Sequence, residues 1–196
     1  MPKQAKSSKT TKNTGKPKST RAKSAKSTRP KKLSFWSKLW RVVLSITIPL
    51  GGGVLIAFFT RDAMAKFGSF NLPPLAPPAW LFPVAWTALY VLMGFACALI
   101  WLQYHSSRKK ADRQMARSAL IIYTIQLIFN FAWTPFFFIL ELFWFSFGWL
   151  VIMWLLILAL VIKAHTISRP AFWMLLPYLI WCTFAIYLNL GIAILN

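Results

Sequence analysis

A chain of 196 residues that is 58% hydrophobic and 17% aromatic, with three acidic side chains against 23 Lys and Arg, departs from soluble domains, in which about a quarter of residues are charged. The composition excludes an ordinary water-soluble fold, and paired-carboxylate chemistry is excluded because Asp62, Asp112 and Glu141 fall singly at loop or span ends. Of the 23 basic residues, 14 lie in residues 1–41, so the net charge of +20 describes a tail more than a folded surface.

Residues 1–34 are almost entirely Lys, Arg, Ser, Thr, Ala, Gln, Asn, Gly and Pro. Such a segment buries too little apolar surface to offset the entropy of ordering, so a disordered basic tail is expected. Its plainest role is a solvated cytosolic tail that reinforces topology. Competing roles are attraction to anionic lipid head groups, worth about 1 kcal/mol per basic residue near the surface, recruitment of an acidic partner, phosphorylation, or sorting. A transit peptide would be richer in Arg than in Lys. Specific nucleic-acid binding is not expected, since no aromatic precedes Phe35 to stack on bases.

Residues 35–196 read as one transmembrane domain. Phe35, Trp36, Leu39 and Trp40, interleaved with Lys38 and Arg41, form an interfacial anchor. The first span is predicted over 42–59, with Pro49 and Gly51, Gly52 and Gly53 in its middle, where small residues let a neighbour or a ligand approach the backbone. It follows a long basic segment and is long enough to remain in the membrane, so no secretory signal is expected. Arg61, Asp62 and Lys66 then predict a polar loop. Pro73-Pro74 and Pro77-Pro78 stiffen the chain before a helix that starts near Ala79, with Pro83 in its first turn.

The second span is predicted over 79–104. A basic connector, 105–117, carries Arg108, Lys109, Lys110, Arg113 and Arg117. The third span is 118–140, a short turn near Glu141 leads to the fourth at 142–162, and a loop at 163–169 leads to the fifth at 170–195. Each approaches or exceeds the roughly 20 residues that cross the hydrocarbon core. The predicted class is an all-α membrane protein, a five-transmembrane-helix bundle with a disordered basic N-terminal tail. Cys97 and Cys182 lie in apolar runs and read as small buried thiols. The tail and the two basic connectors hold 21 Lys and Arg, whereas the other side has only Arg61 and Lys66, which predicts a cytosolic N-terminus.

Polar side chains inside a span normally face the bundle interior. On the third span Gln126, Asn130, Trp133 and Phe137 share one helical stripe, interrupted by Pro135. Tyr178, Trp181, Ala185 and Asn189 do so on the fifth, and Trp86, Tyr90, Met93 and Cys97 on the second. Two readings stand. Either the amides are interhelical hydrogen bonds and the aromatics packing, or the stripes wall a cavity for a flat, largely apolar ligand. The 11 tryptophans favour the cavity, although Trp36, Trp40, Trp101 and Trp173 suit an interfacial belt. His105 and His165 lack a second ligand at useful spacing, so no metal site is expected. No phosphate-cradling glycine loop accompanies the basic connector, and an ATP-driven pump is not supported.

Four motifs carry a resemblance: Pro77-Pro78-x-Trp80; Phe82-Pro83-x-x-Trp86-Thr87-x-Leu89-Tyr90-x-x-Met93-Gly94; Gln126-Leu127-x-x-Asn130-x-x-Trp133-x-Pro135-x-Phe137-Phe138; and Pro177-Tyr178-Leu179-x-Trp181-x-x-Phe184-Ala185-x-x-Leu188-Asn189. Residues 42–196 thereby resemble the TspO/translocator-protein family, the tryptophan-rich sensory proteins or peripheral-type benzodiazepine receptors. The resemblance implies five packed transmembrane helices, commonly a homodimer, and a pocket under the loop between the first two helices. Implied ligands are porphyrins and haem-pathway intermediates, with cholesterol and synthetic carboxamides in animal members. No cofactor is required; porphyrin or haem enters as ligand.

Position by position, Trp86 and Asn130 resemble the pair implicated in porphyrin binding and light-dependent porphyrin breakdown. Tyr90, Trp133, Trp181, Ala185 and Leu188 resemble pocket-wall positions, and Phe145 falls near a pocket tryptophan of animal members. The Asn130 amide is then expected to donate to a ligand carbonyl or carboxylate.

The chain departs from the family pattern in three places. Ala65-Lys66-Phe67-Gly68-Ser69-Phe70-Asn71-Leu72 stands where a Trp-Tyr pair and Lys-Pro usually precede the double proline, and no basic residue follows Tyr187 to complete a sterol motif. Arg117, Tyr123 and Leu127 fit the reversed sterol motif, a permissive pattern. The basic tail is similar to extended eukaryotic, especially plant-like, members. The expected function is membrane binding of tetrapyrroles as receptor or scavenger; alternatives are light-dependent porphyrin degradation through Trp86, transport of porphyrin- or sterol-like lipids, or an interaction role through the tail.

Overall fold

The computed structural model describes residues 33–196; the expected tail disorder lies outside the described residues. These residues form five long helices, α1 Phe35–Ala65, α2 Leu81–Ser106, α3 Lys110–Phe138, α4 Phe143–Ile167 and α5 Arg169–Leu195, with a short 3₁₀ helix, Lys66–Ser69, after α1. All five are long and apolar enough to cross a membrane.

The helices outrun the predicted spans at their polar ends. Arg61 and Asp62 lie in the last turns of α1 rather than in a loop. The basic connector shrinks to Ser107, Arg108 and Lys109, because α3 already begins at Lys110, and Ser168 alone separates α4 from α5. Long basic side chains reach water from a helical turn, so charge does not end a helix at a membrane surface. At about 1.5 Å per residue, the 29 residues of α3 extend well past the hydrocarbon core.

Short connections make α2–α5 alternate up and down. α4 packs against α3 and α5, α2 against α1, α3 and α5, and α1 against α2 and α3. α1 is the most peripheral, with only Ser45, Pro49 and Thr60 buried. Its crossing with α2 is nonetheless close: a Cβ on Gly94 would lie 2.6 Å from Ile46 Cα and 2.7 Å from the Ser45 carbonyl oxygen. Cys97 and Cys182 are buried and unpaired with one another.

At the far end of α1 the chain folds back over the bundle. Phe67 is buried edge-on to Phe82, with centroids 5.0 Å apart, and Phe70 meets Phe143 at 5.2 Å. The segment is tied to the end of α5: the Asn71 N–H donates to Asn196 Oδ1 at 3.0 Å, and Asn196 Nδ2 donates to the Asn71 carbonyl at 3.1 Å. Tyr187 donates to the Pro74 carbonyl at 2.7 Å. The loop departs from the expected family sequence, yet its phenylalanines supply an aromatic plug and its backbone is clipped to α5.

Candidate functional site

A cavity of about 560 Å³ lies between α1, α2 and α3. That volume is in the range of small-molecule sites. Gly53, Ala57 and Arg61, each four residues apart on α1, face Phe82, Trp86 and Tyr90 of α2 and Trp133 and Phe138 of α3. A Cβ on Gly53 would collide with the Tyr90 ring, so the glycine lets that ring lie against α1.

Trp86 and Tyr90, one turn apart, stack with centroids 5.6 Å apart and planes 29° from parallel. Both rings border the cavity and give it an aromatic wall on α2. Trp133 donates its indole N–H to Asn189 Oδ1 at 3.1 Å, Trp149 to the Phe129 carbonyl at 2.8 Å, and Trp154 to Thr183 at 2.8 Å. The Trp86 N–H makes no hydrogen bond among the described residues, and its side chain is only half-buried. It is a donor available to an occupant of the cavity.

Behind this wall runs a polar network. Tyr90 donates to Asn130 Oδ1 at 2.7 Å, Asn130 Nδ2 donates to the Tyr178 hydroxyl at 3.1 Å, and Tyr178 donates to Gln126 Oε1 at 2.8 Å. Asn189 Nδ2 donates to the Phe143 carbonyl at 2.9 Å. Gln126, Asn130 and Asn189 therefore join helices. The Asn130 amide accepts from Tyr90 and donates one N–H to Tyr178, and its second N–H has no partner among the described residues. It bears on the cavity through Tyr90, whose ring it holds.

The remaining predicted positions divide. Trp86, Tyr90 and Trp133 line the cavity of about 560 Å³, whereas Trp133, Ala185 and Leu188 line a separate void of about 10 Å³, too small for a ligand. Phe67, Phe82 and Phe138 fill the space between the two. Trp181 stands edge-on to Phe82 at 6.2 Å without lining either space. Phe145 is exposed on α4 against Phe136, at 5.1 Å, away from both. Tyr123 and Leu127 are buried, so the reversed sterol pattern they belong to presents no face to lipid there. Among the described residues no cluster of His, Cys, Asp and Glu is placed to hold a metal.

The α1 wall was anticipated from the sequence at Gly53 but not at Ala57 or Arg61. Its signal is the spacing Gly53, Ala57, Arg61, a small-residue stripe that ends in a charge.

Residues 45–195 match the model of the TspO/MBR family. The chain belongs to that family. It is 33% identical over 152 residues to the translocator protein of Bos taurus, which covers 76% of this chain and 87% of the bovine protein. It is 34% identical over 156 residues to the tryptophan-rich protein TspO of Chlorobaculum tepidum, covering 79% of this chain and 95% of the bacterial one. A translocator protein homolog of Schizosaccharomyces pombe is 38% identical over 128 residues, covering 63% and 73% of the two chains. The family match takes in α2 to α5 and most of α1, and so every residue that lines the cavity. With five membrane-length helices, this TspO/MBR chain is a multi-pass membrane protein.

Proposed function

We propose that this TspO/MBR protein binds a tetrapyrrole in the cavity between α1, α2 and α3, as a receptor or scavenger. The observation that carries the reading is the stacked Trp86–Tyr90 pair, an aromatic wall on an apolar cavity of about 560 Å³. A macrocycle packed against that wall gains aromatic contact, and the unbonded Trp86 N–H adds a directional donor. The Asn130–Tyr178 network keeps the Tyr90 ring in place, so the wall is preformed rather than assembled on binding. The N-terminus faces the cytosol in this reading, because the start of α1, the 107–109 turn and the α4–α5 junction share one end of the bundle and carry most of its basic residues.

The test is ligand-shifted thermal unfolding in detergent or nanodiscs across protoporphyrin IX, haem and sterols. A compound that binds the folded state raises its melting temperature, by about 2.7 kcal/mol of stabilisation at a free concentration one hundred times Kd. Stabilisation by porphyrins and not by sterols is the expected pattern. Stabilisation by sterols alone would redirect the reading to a lipid ligand.

A further inference from the structure

Among the described residues, Arg61 is the only charged side chain that lines the cavity. It sits in the last turns of α1, at the depth where a membrane helix leaves the hydrocarbon. Its guanidinium lies over the exposed Phe58 ring of the same helix, 5.2 Å from the centroid, beside the lining residue Ala57. Its one acidic neighbour is Asp62, with Arg61 Nε 3.4 Å from Oδ1 and side-chain exposures of 66% and 90%. Water screens so open a pair and leaves the charge of Arg61 available. The terminal guanidinium nitrogens have no hydrogen-bond partner among the described residues.

Of the other polar groups on the lining, the Trp86 N–H and the Thr134 hydroxyl have no hydrogen-bond partner among the described residues, and three are already used. Thr87 donates to the Pro83 carbonyl at 2.7 Å, Tyr90 to Asn130, and Trp133 to Asn189. Val54, Pro83 and Thr87 on the lining are exposed, so the space between α1 and α2 opens sideways, toward lipid in a bilayer. An amphipathic acid in a membrane lies with its apolar body in the hydrocarbon and its carboxylate at the interface. That is also the disposition of the aromatic wall and Arg61.

We infer that Arg61 is the specificity determinant of the cavity: it selects flat apolar molecules that carry a carboxylate, pairing with that group at the rim while the body rests on Trp86 and Tyr90. The ligand slides in from the bilayer between α1 and α2. This rests on the cavity being a ligand site, and it narrows the ligand class to aromatic carboxylic acids, whether or not the body is a macrocycle.

The experiment compares two acid and neutral pairs, protoporphyrin IX with its dimethyl ester and 1-pyrenebutyrate with 1-pyrenebutanol, on wild type, Arg61→Gln and Arg61→Lys in nanodiscs of neutral lipid. Each acid is expected to bind wild type more tightly than its neutral partner. Arg61→Gln should weaken the acids roughly tenfold, the order of one charge-assisted hydrogen bond, and leave the neutral compounds unchanged, whereas Arg61→Lys should retain most of the preference. If Arg61→Gln fails to fold, the wild-type acid and neutral pairs and Arg61→Lys still decide. Equal binding of acid and neutral forms to wild type overturns the inference, as does a loss in Arg61→Gln shared by both forms. Binding of pyrenebutyrate that depends on Arg61, with no porphyrin binding, supports the inference and removes the tetrapyrrole reading. Porphyrin binding indifferent to esterification and to Arg61 does the reverse, and binding of no probe overturns both.

Discussion

Tyr90 hydrogen-bonds Asn130 Oδ1 at 2.7 Å across the α2–α3 interface while its ring stacks on Trp86 at 5.6 Å, so one side chain links the buried polar network to the cavity wall. Tyr90→Phe keeps the ring and removes the bond. Interhelical hydrogen bonds in membranes are worth about 0.6 kcal/mol on average, so a stability loss of about 1 kcal/mol is expected. Asn130→Ala, which leaves the Tyr90 hydroxyl without its acceptor and removes the bond that Tyr178 accepts while Tyr178 still donates to Gln126, should cost about twice that. Thermal unfolding in detergent reads both. Unchanged stability in Asn130→Ala with strongly weakened ligand binding would mean that the amide meets the ligand directly.

The α1–α2 crossing depends on Gly94, where a Cβ would press on the α1 backbone at Ile46 and Ser45. Backbone cannot rotate out of the way as a side chain can. Gly94→Ala is expected to push the helices apart and destabilise by about 1–3 kcal/mol, and Gly94→Val by more. Melting temperatures of the two variants check this, and a neutral Gly94→Val would show that α1 shifts freely.

The reciprocal pairing of Asn71 and Asn196 holds the loop after α1 on the end of α5. In Asn196→Ala both bonds of that pair are lost, and Asn71 Nδ2 to the Leu195 carbonyl at 3.1 Å remains. Amide hydrogen exchange of residues 66–76 should accelerate severalfold while the centres of α2 and α3 stay protected. Equal acceleration everywhere would mean that the contact supports global stability instead.

Glu141 closes the α3–α4 turn with a φ of 50°, in the left-handed region, where a side chain costs roughly 1–2 kcal/mol. Glycine relieves that strain and returns part of the gain as unfolded-state entropy. Glu141→Gly is therefore expected to leave stability unchanged or raise it by up to about 1 kcal/mol, measured by thermal unfolding. A clear loss would show that the carboxylate itself is needed.

The five helices were legible because membrane spans announce themselves as long apolar runs. Their ends were not, since Arg61, Arg113 and Lys163 sit on helical turns from which a long side chain reaches water. On the site side, the shared stripe of Gln126, Asn130 and Trp133 correctly located the bundle interior. Spacing alone cannot tell a polar group that faces a cavity from one that bonds the next helix, and the bonds of Asn130 to Tyr90 and Tyr178 are visible only in the structure. The α1 wall was legible only in part, for a different reason. Gly53 and Ala57 contribute by lacking bulk, which leaves room for the Tyr90 ring and for an occupant, and the glycines of the first span marked a close approach without showing what approaches.

The central claim is that the Trp86–Tyr90 wall receives a porphyrin, and the most direct measurement is a quenching titration of intrinsic tryptophan fluorescence with protoporphyrin IX in nanodiscs, for wild type and Trp86→Phe. The account predicts saturable quenching of wild type and an affinity weakened roughly two- to tenfold in Trp86→Phe, the range of one aromatic contact of about 0.5–1.5 kcal/mol. Linear, unsaturable quenching of wild type, or identical affinities for the two proteins, would contradict it.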